Sequence, residues 1–228
     1  CPSCGKALAP VGTPETKPVA PSNAYCISKY DQERLVLGFG ATHGNHAVAL
    51  RYFLTYGPRQ SLSNPYTGVI SIFASRLRNG LPPVVFEDGG QLRDFVYVGD
   101  VARANVLALE DDRAAGQVFN VGSGAPTRIL DIAQHLCDRV AGGKLSPELP
   151  GQFRPGEARH VYADVSALNA LGWRAETMLD DGLDRHLAWL ATQEDVQESF
   201  GSAMVGLQRA GVVRGTGTLD PETAEDST

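Results

Sequence analysis

Tyr25 and Lys29 are the residues whose types and spacing first suggest chemistry. They stand four apart in Ser22-Asn23-Ala24-Tyr25-Cys26-Ile27-Ser28-Lys29, so on a helix they share a face, one turn apart. A phenol titrates near ~10, and an ammonium one turn away favours the phenolate. Such a pair can work as a general base near neutral pH. The same spacing also suits an ordinary helix with an exposed lysine and a half-buried tyrosine. Arg93 and Arg154 form a second candidate set. Guanidinium groups clamp phosphate oxygens bidentately, so two of them from separate segments can hold a pyrophosphate. Surface ion pairs, such as Arg93 with Asp94, are the competing account. A third candidate is Cys1-Pro2-Ser3-Cys4-Gly5, where Cys1 and Cys4 in a tight, Gly-ended knuckle make half of a tetrahedral zinc site. The other half is absent, because Cys26 falls in the Tyr25 helix and Cys137 in a later one; a fortuitous pair is the alternative. His43, His46, His135, His160 and His186 are scattered without ligand spacing and receive no role.

The elements that must position these residues are legible as apolar runs between breakers. Ser22 is an N-cap after Pro21, and the Tyr25 helix is expected to run to about Phe39, where Gly38, Gly40 and Gly44 interrupt it. Ala47 to Phe53 is a short apolar run suited to a strand buried on both faces. Val69, Ile70, Phe73 and Leu77 recur at helical spacing up to Gly80. Val84 to Phe86, Phe95 to Val98 and Val118 to Val121 read as strands. Asp100, Thr127 and Asp164 read as caps of helices, and Asp94, like Asp100, as a structural cap. Leu179 to Leu190 makes a further helix, with a weak one beyond Gln193. Residues 6 to 21, with Pro10, Pro14, Pro18 and Pro21, read as a linker, and Gly215 to Thr228 as disordered.

Composition agrees with one α/β body. The chain has 228 residues, 43% of them hydrophobic, enough for a sizeable core. No apolar run approaches the ~20 residues of a membrane span, and no signal peptide is visible. Residues 193 to 228 carry most of the net charge of −6, which leaves a nearly neutral body and gives no support for nucleic-acid binding. Four cysteines argue against a disulfide framework. The start at Cys1, without a methionine, suggests the later part of a longer protein.

Further motifs extend the series: Tyr56-Gly57-Pro58-Arg59-Gln60, Asp88-Gly89, Arg93 to Val101, Phe119-Asn120-Val121-Gly122-Ser123-Gly124, Arg154-Pro155-Gly156-Glu157 and Leu171-Gly172-Trp173. With Tyr25 and Lys29, and in this order over roughly residues 21 to 190, they resemble the extended short-chain dehydrogenase/reductase family. The likeness is to its NAD-dependent epimerase/dehydratase branch, of the UDP-glucose 4-epimerase type. The resemblance implies a Rossmann-type α/β fold with a smaller C-terminal α/β substrate domain. It also implies NAD as cofactor, a nucleoside diphosphate sugar as substrate, a homodimer and a cytoplasmic location. Tyr25 and Lys29 become the catalytic pair and, with Tyr52, contacts to the cofactor; Arg93 and Arg154 bind the diphosphate, Phe86 lies near the base and Glu157 near the ribose.

Two departures qualify that reading. The family usually has Asn after Arg51-Tyr52-Phe53, and this chain has Leu54, which cannot donate a hydrogen bond to substrate. No Gly-x-x-Gly-x-x-Gly phosphate turn is present, nor the catalytic Ser or Thr that precedes the tyrosine helix, so the first βαβ units are expected to be missing. The expected organisation is a half zinc-ribbon and linker over 1–21, the end of the Rossmann domain over 22–60, a substrate domain over 61–192 with segments returning to the Rossmann domain, and an acidic tail over 193–228. A 4,6-dehydratase and a non-catalytic sugar-nucleotide-binding pseudoenzyme remain as alternatives to the epimerase, and the chain alone is expected to be inactive.

Overall fold

The computed structural model describes residues 3–62, 64, 68–194, 196, 198 and 200–215. The chain divides into two compact units. The first takes residues 1–59, 92–127 and 158–192; the second takes 60–91, 128–157 and 193–228.

The first unit is built on parallel strands. β1 (Ala49–Tyr52) pairs with β4 (Val118–Val121), and β2 (Leu54–Tyr56) pairs with β3 (Leu92–Tyr97), both parallel. β5 (Pro126–Arg128) completes a three-stranded sheet in the order β2–β3–β5. Only Phe53 separates β1 from β2, and its N–H still donates to Val121 O, so one extended stretch changes partners along its length. Helices α1 (Ala24–His43), α3 (Val98–Glu110), α5 (Ser166–Ala170) and α6 (Leu179–Ala191) pack on these strands. Val96, Val101, Ala104, Phe119, Val121, Leu168 and Trp173 make the buried core. Full burial of the Val, Leu and Phe side chains among them contributes roughly 1.5–3 kcal/mol each.

In the second unit, α2 (Val69–Arg78) packs against α4 (Ile129–Ala141). Ile70, Phe73 and Leu77 are buried on one helix, and Ile132, Ala133 and Leu136 on the other. α7 (Phe200–Arg209) belongs to this unit as well.

Several local expectations need correction. Asn23, not Ser22, caps α1, because its side-chain oxygen reaches the Cys26 N–H at 2.9 Å, the third position of the helix. The helix passes through Gly38 and Gly40 and ends only at Gly44, in the left-handed conformation with φ 68°. Gly40 is there for close approach: a Cβ on it would lie 2.5 Å from the Ala47 Cβ. Val84 to Phe86 forms no strand, only a bridge from Val84 to Glu148. Asp100 and Thr127 are not helix caps. Asp100 sits inside the first turn of α3, fully buried, and accepts from the Thr177 N–H at 3.1 Å. The Pro-rich segment is no free linker either: Thr13 bridges Ala163, and the Tyr162 hydroxyl donates to Pro10 O at 3.0 Å. The described tail residues belong to the second unit. Arg76 pairs with Glu198 at 3.2 Å, Val213 is buried, and Phe153 bridges Arg214. The expected disorder of the end falls on residues 216–228, outside those described.

Candidate active site

Tyr25 and Lys29 occupy the first two turns of α1, placed there by the Asn23 cap. The Lys29 Nζ lies 5.8 Å from the centroid of the Tyr25 ring. It also contacts Gln32 Oε1 at 3.4 Å. Tyr25 is 70% exposed. The two side chains stand on adjacent turns of the helix.

Tyr52 is not part of that group. Along β1 successive side chains take opposite faces. Arg51 turns toward α1, where its Nε and one terminal nitrogen donate to the two carboxylate oxygens of Glu33, each at 2.8 Å. Tyr52 turns the other way, lining a cavity with Val48, Leu50 and Asn105, and its hydroxyl donates to Asn105 Oδ1 at 2.8 Å. Period-2 alternation is the signal in the sequence that sets Tyr52 on the face opposite Arg51.

Arg93 is half-buried on β3. Its guanidinium donates to the backbone oxygens of Leu92 and Arg159, at 2.9 and 2.8 Å, and its backbone bridges Val161. Those bonds fix the side chain against the 159–161 segment. The next residue, Asp94, turns inward and is fully buried. Its carboxylate accepts from the Ser123 N–H and Oγ–H at 2.7 and 2.6 Å, the Gly124 N–H at 2.9 Å and the Ala163 N–H at 3.1 Å. Asp94 thus ties the glycine turn after β4 to β3, a structural task and not a cap.

In the second unit Phe86 and Arg154 meet. The Arg154 guanidinium stacks over the Phe86 ring, 5.5 Å from its centroid. Arg154-Pro155-Gly156-Glu157 is a turn closed by the Glu157 N–H to Arg154 O at 3.3 Å, with Gly156 at φ 75°. Proline before a positive-φ glycine is the signature of a type II turn, and it leaves Glu157 exposed beside Arg154.

His186, given no role from the sequence, is fully buried in α6 and hydrogen-bonded to the Gly57 backbone. Desolvation pushes its pKa below the ordinary histidine value, with the Gly57 bond opposing that shift. Cys4 is exposed and free, and Cys1 lies outside the described residues. Among the described residues no three Cys, His, Asp or Glu side chains converge as metal ligands, and no helix is long and apolar enough to cross a membrane.

Parallel strands alternating with helices, and a Tyr-x-x-x-Lys helix beside them, define a Rossmann-type α/β protein of the extended short-chain dehydrogenase/reductase kind. The comparisons carry this further. A family model described as the NAD dependent epimerase/dehydratase family matches residues 4–122. The dTDP-L-rhamnose 4-epimerase of Burkholderia thailandensis is 34% identical over 192 residues, covering 84% of this chain and 52% of that protein. A putative UDP-glucose 4-epimerase of Methanocaldococcus jannaschii is 34% identical over 176 residues, covering 77% of this chain and 56% of that one. The crystal structure of Thermotoga maritima UDP-glucose 4-epimerase with UDP-glucose superposes with a TM-score of 0.71 at 34% identity, covering 82% of this chain and 59% of the other. The chain belongs to the NAD-dependent epimerase/dehydratase family. It spans about half the length of the curated relatives it matches.

Proposed function

We propose that the protein carrying this chain is an NAD-dependent epimerase acting at C4 of a nucleoside diphosphate sugar. The observation that carries the reading is the exposed Tyr25 with Lys29 one turn on, within a member of this family. NAD, when bound, supplies the hydride acceptor and donor. The residues present fit the catalytic end of its site, Tyr25 and Lys29, but the sequence holds no glycine turn for its pyrophosphate. Tyr25 takes the proton of the sugar 4-hydroxyl at its phenolic oxygen. Lys29 supplies a donor for the nicotinamide ribose. Arg154, stacked on Phe86, and Arg93 are assigned to the diphosphate, Phe86 to the base and Glu157 to the ribose. Leu54 in place of the usual asparagine favours a second reading, a binding protein without turnover. Retention of both Tyr25 and Lys29 supports the enzyme.

Exposed Ile27, Leu35 and Phe39 on α1 support a homodimer. A reaction on nucleotide sugars with NAD belongs in the cytoplasm, where both are made. Cys1 and Cys4 supply two of the four thiolates that a structural zinc needs, so the residues present do not complete such a site.

The test is the protein expressed from its complete coding region, given UDP- and dTDP-hexoses and followed by NMR at the sugar C4. Conversion is expected, and Tyr25→Phe is expected to abolish it while nucleotide binding persists. Undiminished conversion by the Phe variant would overturn the assignment of the base.

A further inference from the structure

Of the twenty residues of α1 only Gly40 is buried, so apolar packing alone does little to set the rotation of this helix about its axis. A polar clamp on its inward face does more. The half-buried residues Cys26, Tyr30, Glu33 and Leu37 recur at intervals of four, three and four, which marks that face. Glu33 stands one turn beyond Lys29 and two beyond Tyr25. Its carboxylate, with 13% of the side chain exposed, receives the fork of Arg51 from β1. A bidentate fork constrains angle as well as distance. The remaining arm of Arg51 donates to Glu15 O at 3.2 Å. Glu15 in turn uses its own carboxylate to accept the Asn120 N–H at 2.8 Å. Asn120 lies directly across the ladder from Arg51, is 2% exposed, and donates through its amide to Thr13 O and Asp164 O at 2.9 and 3.0 Å. Four segments close on Arg51 in this way: α1, β1, β4 and the stretch before the helix.

We propose that Glu33, held by Arg51, which Glu15 braces in turn, is a positioning residue that sets the rotation of α1 and so aims Tyr25 and Lys29. The proposal rests on the catalytic reading above. Neither Glu33 nor Arg51 touches the reacting atoms. Their effect passes through the helix, and small misplacement of a catalytic group costs up to ~100-fold in rate. The stretch from Thr13 to Glu15, expected to be linker, is part of the same scaffold.

Cys26 provides a reporter that does not depend on activity, because it is half-buried on the same face as Glu33. Glu33→Gln keeps the shape and removes the charge; Arg51→Lys keeps the charge and removes the fork. In both variants Cys26 is expected to alkylate several times faster than in the parent, scored by peptide mass spectrometry, with helical circular dichroism unchanged. In the protein from the complete coding region, kcat is expected to fall by an order of magnitude or more while KM for the sugar nucleotide holds, and Glu33→Asp to recover part of the loss. Unchanged Cys26 labelling in both variants overturns the clamp. Faster labelling with unchanged kcat overturns its positioning role. A parent protein without turnover would instead fail the catalytic reading, and the labelling comparison would still decide whether the clamp sets the helix.

Discussion

Replacing Asp94 with asparagine tests whether the buried carboxylate holds the β3–β4 region together. In the parent, one oxygen accepts two donors from Ser123 and the other accepts the N–H groups of Gly124 and Ala163. An asparagine keeps one acceptor oxygen and turns an NH2 toward the other pair. In the better orientation the NH2 faces Ser123, whose hydroxyl can turn to accept, and one backbone N–H is left without a partner. A buried unsatisfied donor costs ~1–3 kcal/mol, and the two surviving bonds lose their charge assistance. Relief of the carboxylate's desolvation offsets part of this. The net expectation is a loss of ~2–4 kcal/mol, or roughly 5–15 °C in Tm at this chain size. No larger neighbour can slide in to compensate at the turn, since a Cβ at Gly122 would already lie 2.5 Å from the Asp94 carboxylate. Urea unfolding followed by tryptophan fluorescence suits the measurement, because Trp173 is buried in the same unit and its indole N–H donates to Asp100 O at 3.1 Å. A variant within 1 kcal/mol of the parent would refute the reasoning.

Other expectations follow from single side chains. Arg154→Ala removes the guanidinium stacked on Phe86 and is expected to weaken UDP binding about tenfold or more, read by calorimetry; equal affinity would remove Arg154 from the nucleotide site. Burial depresses the pKa of His186, so the unfolded chain binds the extra proton first. Its contribution is therefore complete above the unfolded value near ~6.5 and is lost as pH falls below it. Thermal melts from pH 7.5 to 5.5 should show a smaller acid loss in His186→Gln than in the parent, whereas parallel losses would assign the acid sensitivity to other groups. Gly40→Ala, whose Cβ would meet the Ala47 Cβ at 2.5 Å, is expected to lower Tm despite alanine's better helix propensity; a rise would mean the helix can move away without cost.

The sequence by itself determined the local elements and the residues that could do chemistry. Strand β4 spans Val118–Val121 as read from pattern, α6 extends the Leu179 to Leu190 reading by one residue, and the Tyr25–Lys29 pair falls within one helix as read. Those features depend on period and turn chemistry, which neighbouring residues carry. What depends on partners distant in sequence was decided only in three dimensions. Gly38 and Gly40 look like breakers, yet Gly40 is buried because Ala47 must approach it. Thr13 to Glu15 looks like linker, yet Glu15 caps the Asn120 N–H, 105 residues away. Asp94 reads as a cap until Ser123, Gly124 and Ala163 are seen to share its carboxylate. Alternation puts Tyr52 opposite Arg51, but which of the two meets α1 is decided only by the pairing of Arg51 with Glu33. Each of these outcomes rests on a hydrogen bond or a close contact between segments that only the folded chain brings together.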